Sequence, residues 1–454
     1  MNGIQTNAFL TEIRDQKMLL LIFCDLLILA TLAFLSPLQA IAVVLVLFLA
    51  AFFLLSPLGY LYFLLVWIPY ESLILPEGEG VRILRLFAIS IVIILGWMKY
   101  WLSAMPIRLP NRYILVPIII LFCWSAITIL FSPFPLSALF GFMKMLAFLA
   151  IFLLVYNIIS SQNDLKKFLY FLFIISIPIY LVAYYQFFAL GYLRVWGIFG
   201  NPNTLGVFSF ATAASALVLK QLENNTKPRN ILAFIWVLLS ISSLILSGSR
   251  ASIFGLIVFA AVYLILNRKY IILFSLILIG LLGIFYIMHS QALLLDFARV
   301  TRLLGGLSGR TIIWETGLVM IEDHPLFGVG PGNVSRLLYD YAQATHPIVS
   351  IDLRSAMERG IMHNGYLQQL AEIGIIGLMI ALWIIWRFIK LLFSYVHSKC
   401  SQSLTNISII VLALFIGRLA HSLFESSLDI GPYTVDVSVL LIYAAVVKLH
   451  DAKT

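Results

Sequence analysis

Apolar runs of about 20 residues, each long enough to cross a bilayer as a helix, follow one another along most of this chain with short polar breaks between them. The pattern predicts spans near 18–35, 38–55, 58–75, 82–103, 112–131, 139–159, 167–190, 203–220, 230–247, 251–267, 270–288, 366–393, 404–424 and 433–449. The expected fold is all-α, a polytopic membrane helical bundle of about 12–14 transmembrane helices, with 1–454 forming one membrane domain. Ser36-Pro37 and Ser56-Pro57 leave open whether the first three spans are separate or are kinked parts of fewer, longer elements.

Residues 289–365 alone interrupt this rhythm at length, and they predict a long loop carrying short helices. Inside it, Thr311 to Asp323 mixes Ile312, Ile313, Trp314, Leu318 and Met320 with acidic residues. That mixture predicts a short interfacial helix lying on the membrane, with Trp314 at the headgroup level. His324-Pro325 and the Gly328-Val329-Gly330-Pro331-Gly332 run then stop it.

Composition agrees with the pattern: at 62% hydrophobic and 11% charged residues, the chain is too apolar for a water-facing globule. Arg14 and Lys17 precede an apolar run that leads straight into a second, so no cleavable signal peptide is expected. The net charge of +9 is spread over separate loops, which argues for membrane topology and against a nucleic-acid partner. Cys24, Cys123 and Cys400 lie in or beside apolar runs and imply no disulfide framework.

Charge then orients the spans. Lys99, Arg108 and Arg112 share one loop, Lys166 and Lys167 the next but one, and Lys220, Lys227 and Arg229 the next of that set. Arg268 with Lys269, then Arg387, Lys390 and Lys399, and finally Lys448 and Lys453 continue the series, which makes these loops and both termini cytoplasmic. The alternate, external loops contain no lysine but carry Arg194, Arg250, Arg299, Arg302, Arg310, Arg336, Arg354 and Arg359. The insertion rule counts lysine and arginine alike, so this split asks for another cause. Arginine's planar fork suits phosphate or carboxylate, although most of these arginines could simply pair with acids of their own loop.

Four external features are candidates to converge. His363 stands where the long loop meets the next span, able to accept a proton near neutral pH, though a lone interface histidine is more often a structural hydrogen-bonder. Ser249 can cap the helix opened by Arg250, which would aim a helix N-terminus and a guanidinium outward; a single interface arginine more often snorkels to lipid. Gly200-Asn201-Pro202-Asn203 opens another outward helix with Arg194 six residues before Gly200, and a plain turn and cap explains it equally well. The glycine-rich run ending in Arg310 could wrap a phosphate or serve as a hinge.

One further cluster lies near the outer end of the span at 404–424. Arg418, His421 and Glu425 are expected to share a helical face there, with an internal Arg-Glu or His-Glu pair orienting the span. No Asp-x-Asp pair, His-Glu-x-x-His motif, Cys/His cluster or Walker-type loop appears, so neither a metal nor a cofactor is expected.

In combination and in order, several segments resemble the O-antigen ligase and O-antigen polymerase superfamily: Gly200-Asn201-Pro202-Asn203, Ser247-Gly248-Ser249-Arg250, Ser308-Gly309-Arg310 with its helix through Asp323-His324-Pro325, Gly328-Val329-Gly330, and His363-Asn364-Gly365-Tyr366-Leu367 onward to Gly374. The resemblance covers about residues 190–380. It implies a bacterial plasma-membrane glycosyltransferase that takes a glycan from undecaprenyl pyrophosphate on the external face and passes it, with inversion, to a sugar hydroxyl. The acceptor would be a lipid-linked glycan or a lipid A core, which separates polymerase from ligase, with a slight lean to polymerase. A chain-length regulator and a flippase would be partners in the membrane. Under this resemblance His363 is the catalytic base, and Arg250, Arg310 and Arg194 hold the pyrophosphate. Asn203, Ser249, Arg418, His421 and Glu425 are secondary site residues. Two other classes fit the composition: a multi-span transporter of a small anion, and a non-enzymatic lipid-glycan binding protein.

Overall fold

The computed structural model describes residues 106–159, 161–223, 227–289, 310–345, 361–397 and 401–426, together with a few positions between 59 and 101. Every regular element among them is a helix: α1 Arg112–Leu130, α2 Pro135–Ile158, α3 Gln162–Phe188, α4 Pro202–Leu222, α5 Lys227–Ser247, α6 Arg250–Leu266, α7 Tyr270–His289, α8 Arg310–Asp323, α9 Val334–Thr345, α10 Gly365–Val396 and α11 Gln402–His421. Seven of these are long and apolar enough to cross a membrane, with α6 and the apolar part of α7 falling just short in length. The protein is a polytopic helical membrane protein. Predicted spans 112–131 through 270–288, 366–393 and 404–424 each coincide with one helix. Spans 18–35, 38–55 and 433–449 lie outside the described residues, as do most of 58–75 and 82–103.

Helix α4 is the axis of the bundle, packed on α3, α5, α6 and α11. Its run Phe210-Ala211-Thr212-Ala213-Ala214-Ser215-Ala216 explains why, since small side chains let helices approach closely where lipid offers no hydrophobic drive for association. Buried hydroxyls add a polar tie, with Tyr180 of α3 bonded to Thr212 of α4 and, at 3.0 Å, to Ser240 of α5. Helices α6 and α11 cross at a pair of glycines. A Cβ on Gly417 would stand 2.7 Å from the Gly255 carbonyl, so a larger residue there would push the two helices apart.

Helix α10 is broken at Gly374, whose φ of 68° belongs to the left-handed region. The backbone groups freed by the break are taken up by the glycine-rich loop after α8. Val329 N–H donates to Ala371 O at 2.8 Å, Gly330 N–H to Glu372 O at 2.9 Å, and Ile375 N–H to Pro325 O at 2.9 Å. Irregular backbone at membrane depth needs such partners, which accounts for the Gly328–Gly332 sequence better than a helix stop alone. The loop is held on its other side by Asn333, whose Nδ2 donates to Ser132 Oγ at 2.6 Å and to Phe134 O at 3.1 Å.

Two expectations about the long polar stretch change. The segment 311–323 is helical, but it is not a simple surface helix: Ile313, Thr316, Gly317 and Met320 are buried against α9 and α10. Trp314 turns inward, its Nε1 donating to Met362 O at 2.9 Å. Helix α9 was not predicted, although Val334, Leu338 and Ala342 recur at helical spacing and form its buried face.

The bundle has two chemically different ends. Arg194, Arg250, Arg310 and His363 lie with the N-termini of α4, α6, α8 and α10 and the C-terminus of α11. Lys166, Lys167, Lys220, Lys269 and Lys390 lie toward the opposite end, where Lys166 faces Glu223 at 3.8 Å. Arg112, Arg268 and Arg387 share the lysine-bearing end, so what distinguishes the two ends is where the lysines stand.

Candidate active site

Three segments far apart in sequence converge on the carboxylate of Glu425. Helix α11 stops at His421, and the turn Ser422–Ser426 carries Glu425 off its end. Its Oε1 accepts from Arg310 Nη2 at 2.6 Å and from Asn203 Nδ2 at 2.7 Å, and its Oε2 lies 2.9 Å from His363 Nδ1. The expected Arg-Glu or His-Glu pair within the face of Arg418, His421 and Glu425 is therefore replaced by contacts to other elements. The physical reason is the helix end: once the chain leaves helical geometry, four-residue spacing no longer puts two side chains on one face.

Each contributor is set by local sequence. Asn364 caps α10, accepting from Tyr366 N–H at 3.0 Å and Leu367 N–H at 3.1 Å. His363, one residue earlier, takes a φ of 50°, an uncommon value for a residue with a Cβ. The surroundings hold it there, with Gly365 N–H donating to Ser422 O at 2.8 Å and the Trp314 bond fixing Met362. Gln368 completes this support, accepting from Met362 N–H at 3.1 Å and donating to the buried Glu372 at 2.8 Å.

Asn201 caps α4 by accepting from Asn203 N–H at 2.8 Å, and Pro202 fits the first helical position. This leaves the Asn203 amide to bridge: it donates to Glu425 and accepts from Arg194 Nη2 at 3.2 Å. Arg194 Nε also donates to Ser247 O at 3.1 Å, and its side chain lies along Gly248, where a Cβ would come within 3.3 Å of it. Ser249 caps α6 as expected. Its turn packs on Gly206 of α4, where an added Cβ would meet Ser249 Cβ at 2.6 Å.

The structure thus joins His363, Arg310, Asn203, Arg194 and Glu425 in one hydrogen-bonded chain. Arg250 is the first residue of α6, half-buried, at the same end: one turn on, Phe254 meets Phe424 edge-on at 5.7 Å. Arg418 and His421 are buried on α11, and the Arg418 carbonyl accepts from Ser422 N–H at 3.0 Å and Ser422 Oγ at 2.8 Å where the turn begins. Sequence reasoning named all of these residues, but it set Trp314 at the membrane surface and gave no part to Gln368 or to Glu425 as the hub.

Chemically, the arrangement is a histidine oriented by a carboxylate. With Nδ1–H given to Glu425, Nε2 keeps a lone pair that can take a proton. His363, Arg310 and Glu425 are 22%, 15% and 12% exposed, enclosed enough to strengthen their electrostatics yet still reachable.

Residues 235–382 match the family described as O-antigen ligase. The match includes Arg250, Arg310 and His363 and leaves Arg194, Asn203 and Glu425 outside it. An uncharacterized protein of Haemophilus influenzae is 24% identical over 245 residues, covering 48% of this chain and 59% of that protein. The chain thus spans about six-tenths of the length of that curated relative.

Proposed function

We propose, from the match of residues 235–382 to the family described as O-antigen ligase and from the site geometry, that the protein is a plasma-membrane glycosyltransferase of surface-polysaccharide assembly. It transfers a glycan from an undecaprenyl-pyrophosphate donor to an acceptor sugar hydroxyl on the external face. The observation that supports this reading best is the His363–Glu425–Arg310 contact set, a base and a cation held by one carboxylate.

In the proposed reaction the acceptor oxygen attacks the anomeric carbon from the side opposite the pyrophosphate, which inverts the centre. A carbon–oxygen bond to the acceptor forms and the bond to the phosphate oxygen breaks, with the electron pair leaving on the pyrophosphate. The hydroxyl proton goes to His363 Nε2, and Glu425 stabilises the imidazolium that results. Arg310 uses one N–H on Glu425, and the rest of its guanidinium is available to meet the leaving group. Arg250 and Arg194 supply further positive charge at the same end, with Ser249 capping the helix that Arg250 opens and the Asn203 amide accepting from Arg194. Arg418 and His421 support the Glu425 turn. Pyrophosphate is already a competent leaving group, so guanidinium charge suffices and the reaction runs without a metal.

The lysine-rich end is then cytoplasmic, as are both termini, and the arginine-rich end is external. Within this reading we favour a polymerase, whose acceptor is another lipid-linked glycan, over a ligase acting on a lipid A core. A chain-length regulator and the flippase that delivers the donor are its expected partners. Purified protein in nanodiscs, supplied with lipid-linked repeat units alone, tests this: a polymerase yields ladders of longer lipid-linked chains. Turnover only when a lipid A core is added would make it a ligase, and no glycan transfer to either acceptor would overturn the proposal.

A further inference from the structure

At the lysine-bearing end of the bundle, opposite His363, a cavity of about 790 Å³ opens between the first turn of α1 and the last turns of α10. Arg112, Arg387, Lys390 and His397 line it together with Asn111 and Tyr113, and no described lining residue is a carboxylate. Its remaining wall is largely apolar, with Val116 and Phe393 among the contributors.

The cations are organised. Arg387 Nε donates to Tyr113 O at 3.0 Å, and its guanidinium carbon lies 3.4 Å from the centre of the Tyr113 ring. One edge of that guanidinium is thus fixed to the wall of α1. Lys390 stands 5.2 Å over Trp386, an exposed aromatic of the kind that sits at a headgroup boundary. Asn111 caps α1 by accepting from Tyr113 N–H at 2.9 Å, so a helix N-terminus also faces this space and adds partial positive charge to the full charges around it. Arg112 and Lys390 are exposed and can adjust to a ligand.

Positive charge without a carboxylate selects an anion. Apolar wall beside that charge, on helices that cross the membrane, selects an amphiphile over a free ion. We infer that this cavity binds the phosphate headgroup of an anionic phospholipid in the leaflet opposite the His363 site, with its acyl chains against Val116 and Phe393. Arg387 positions the headgroup, while Arg112 and Lys390 close over it. The inference concerns the far end of α10 and does not depend on the proposed glycosyl transfer.

Thermal unfolding of the full chain in neutral detergent tests it, with phosphatidylglycerol, phosphatidylcholine or inorganic phosphate added. Phosphatidylglycerol raises the unfolding temperature, and the other two leave it unchanged. Arg112→Gln and Lys390→Gln, singly, each weaken the phosphatidylglycerol response by roughly fivefold in half-saturating concentration. Both leave the unfolding temperature without lipid unaltered, since neither side chain is buried. An equal rise with phosphatidylcholine, or a phosphatidylglycerol response that survives both substitutions, overturns the site. A rise that inorganic phosphate reproduces overturns the lipid as its occupant.

Discussion

His363 Nδ1 and Glu425 Oε2 lie 2.9 Å apart although 62 residues separate them in the chain. The contact exists because α10 begins where α11 ends, and the Gly365–Ser422 backbone bond fixes the two termini side by side. A carboxylate in that position selects the imidazole tautomer that leaves Nε2 as an acceptor, which a base needs.

Glu425→Gln keeps the size of the side chain but removes the charge that orients the imidazole and stabilises its protonated form. It should lower kcat by on the order of 10²–10⁴ while leaving donor binding within a few-fold of the parent. Steady-state kinetics with a lipid-linked donor reads both quantities; a loss confined to KM would assign Glu425 to substrate binding alone.

Trp314→Phe preserves an aromatic ring and deletes the hydrogen bond to Met362 O. It should cost about 0.5–1.5 kcal/mol of stability. Because Met362 precedes His363, kcat should fall more than donor affinity does, as a kcat-against-KM comparison would show.

Gly374→Ala meets two obstacles. The residue has a φ of 68°, and a Cβ there would stand 2.0 Å from Leu326 O. Backbone strain alone costs about 1–3 kcal/mol, and the clash should also lift the 325–330 loop away from α10. Lower thermal stability, with faster proteolysis after α8, is the expected outcome.

Tyr341 donates to Asp323 Oδ2 at 2.8 Å, and burial, assisted by that bond and by the Asp323 charge, pushes its hydroxyl up to about 12. A folded-state value above the unfolded one means that this contribution is complete below pH about 10 and is lost as pH rises from there toward 12. Tyr341→Phe should therefore lower stability at neutral pH, where the contribution is complete, by about 0.5–1.5 kcal/mol and flatten part of the alkaline decline, which unfolding curves across pH 7–12 would reveal.

Much of the fold was legible in the sequence because membrane helices obey one strong rule: backbone groups must be satisfied within the segment, so apolar length marks the element. The caps at Asn201 and Ser249 were legible for a similar reason, since they depend on neighbours only two or three residues away. Glu425 was not. Its residue type and position suggested a pair with Arg418 or His421, and only the end of α11 decides otherwise. The break at Gly374 was hidden as well, because its cause is a loop some 45 residues earlier that supplies the missing hydrogen bonds. Helix α9 was readable from the helical spacing of Val334, Leu338 and Ala342, within a stretch where short helices are expected but only 311–323 was singled out.

The most direct test of the central claim is single-turnover glycan transfer by His363→Ala in nanodiscs, with donor binding measured on the same sample. The account predicts transfer slowed by on the order of 10²–10⁴ with donor affinity retained. Transfer at the parental rate would contradict it, and would remove His363 as the base.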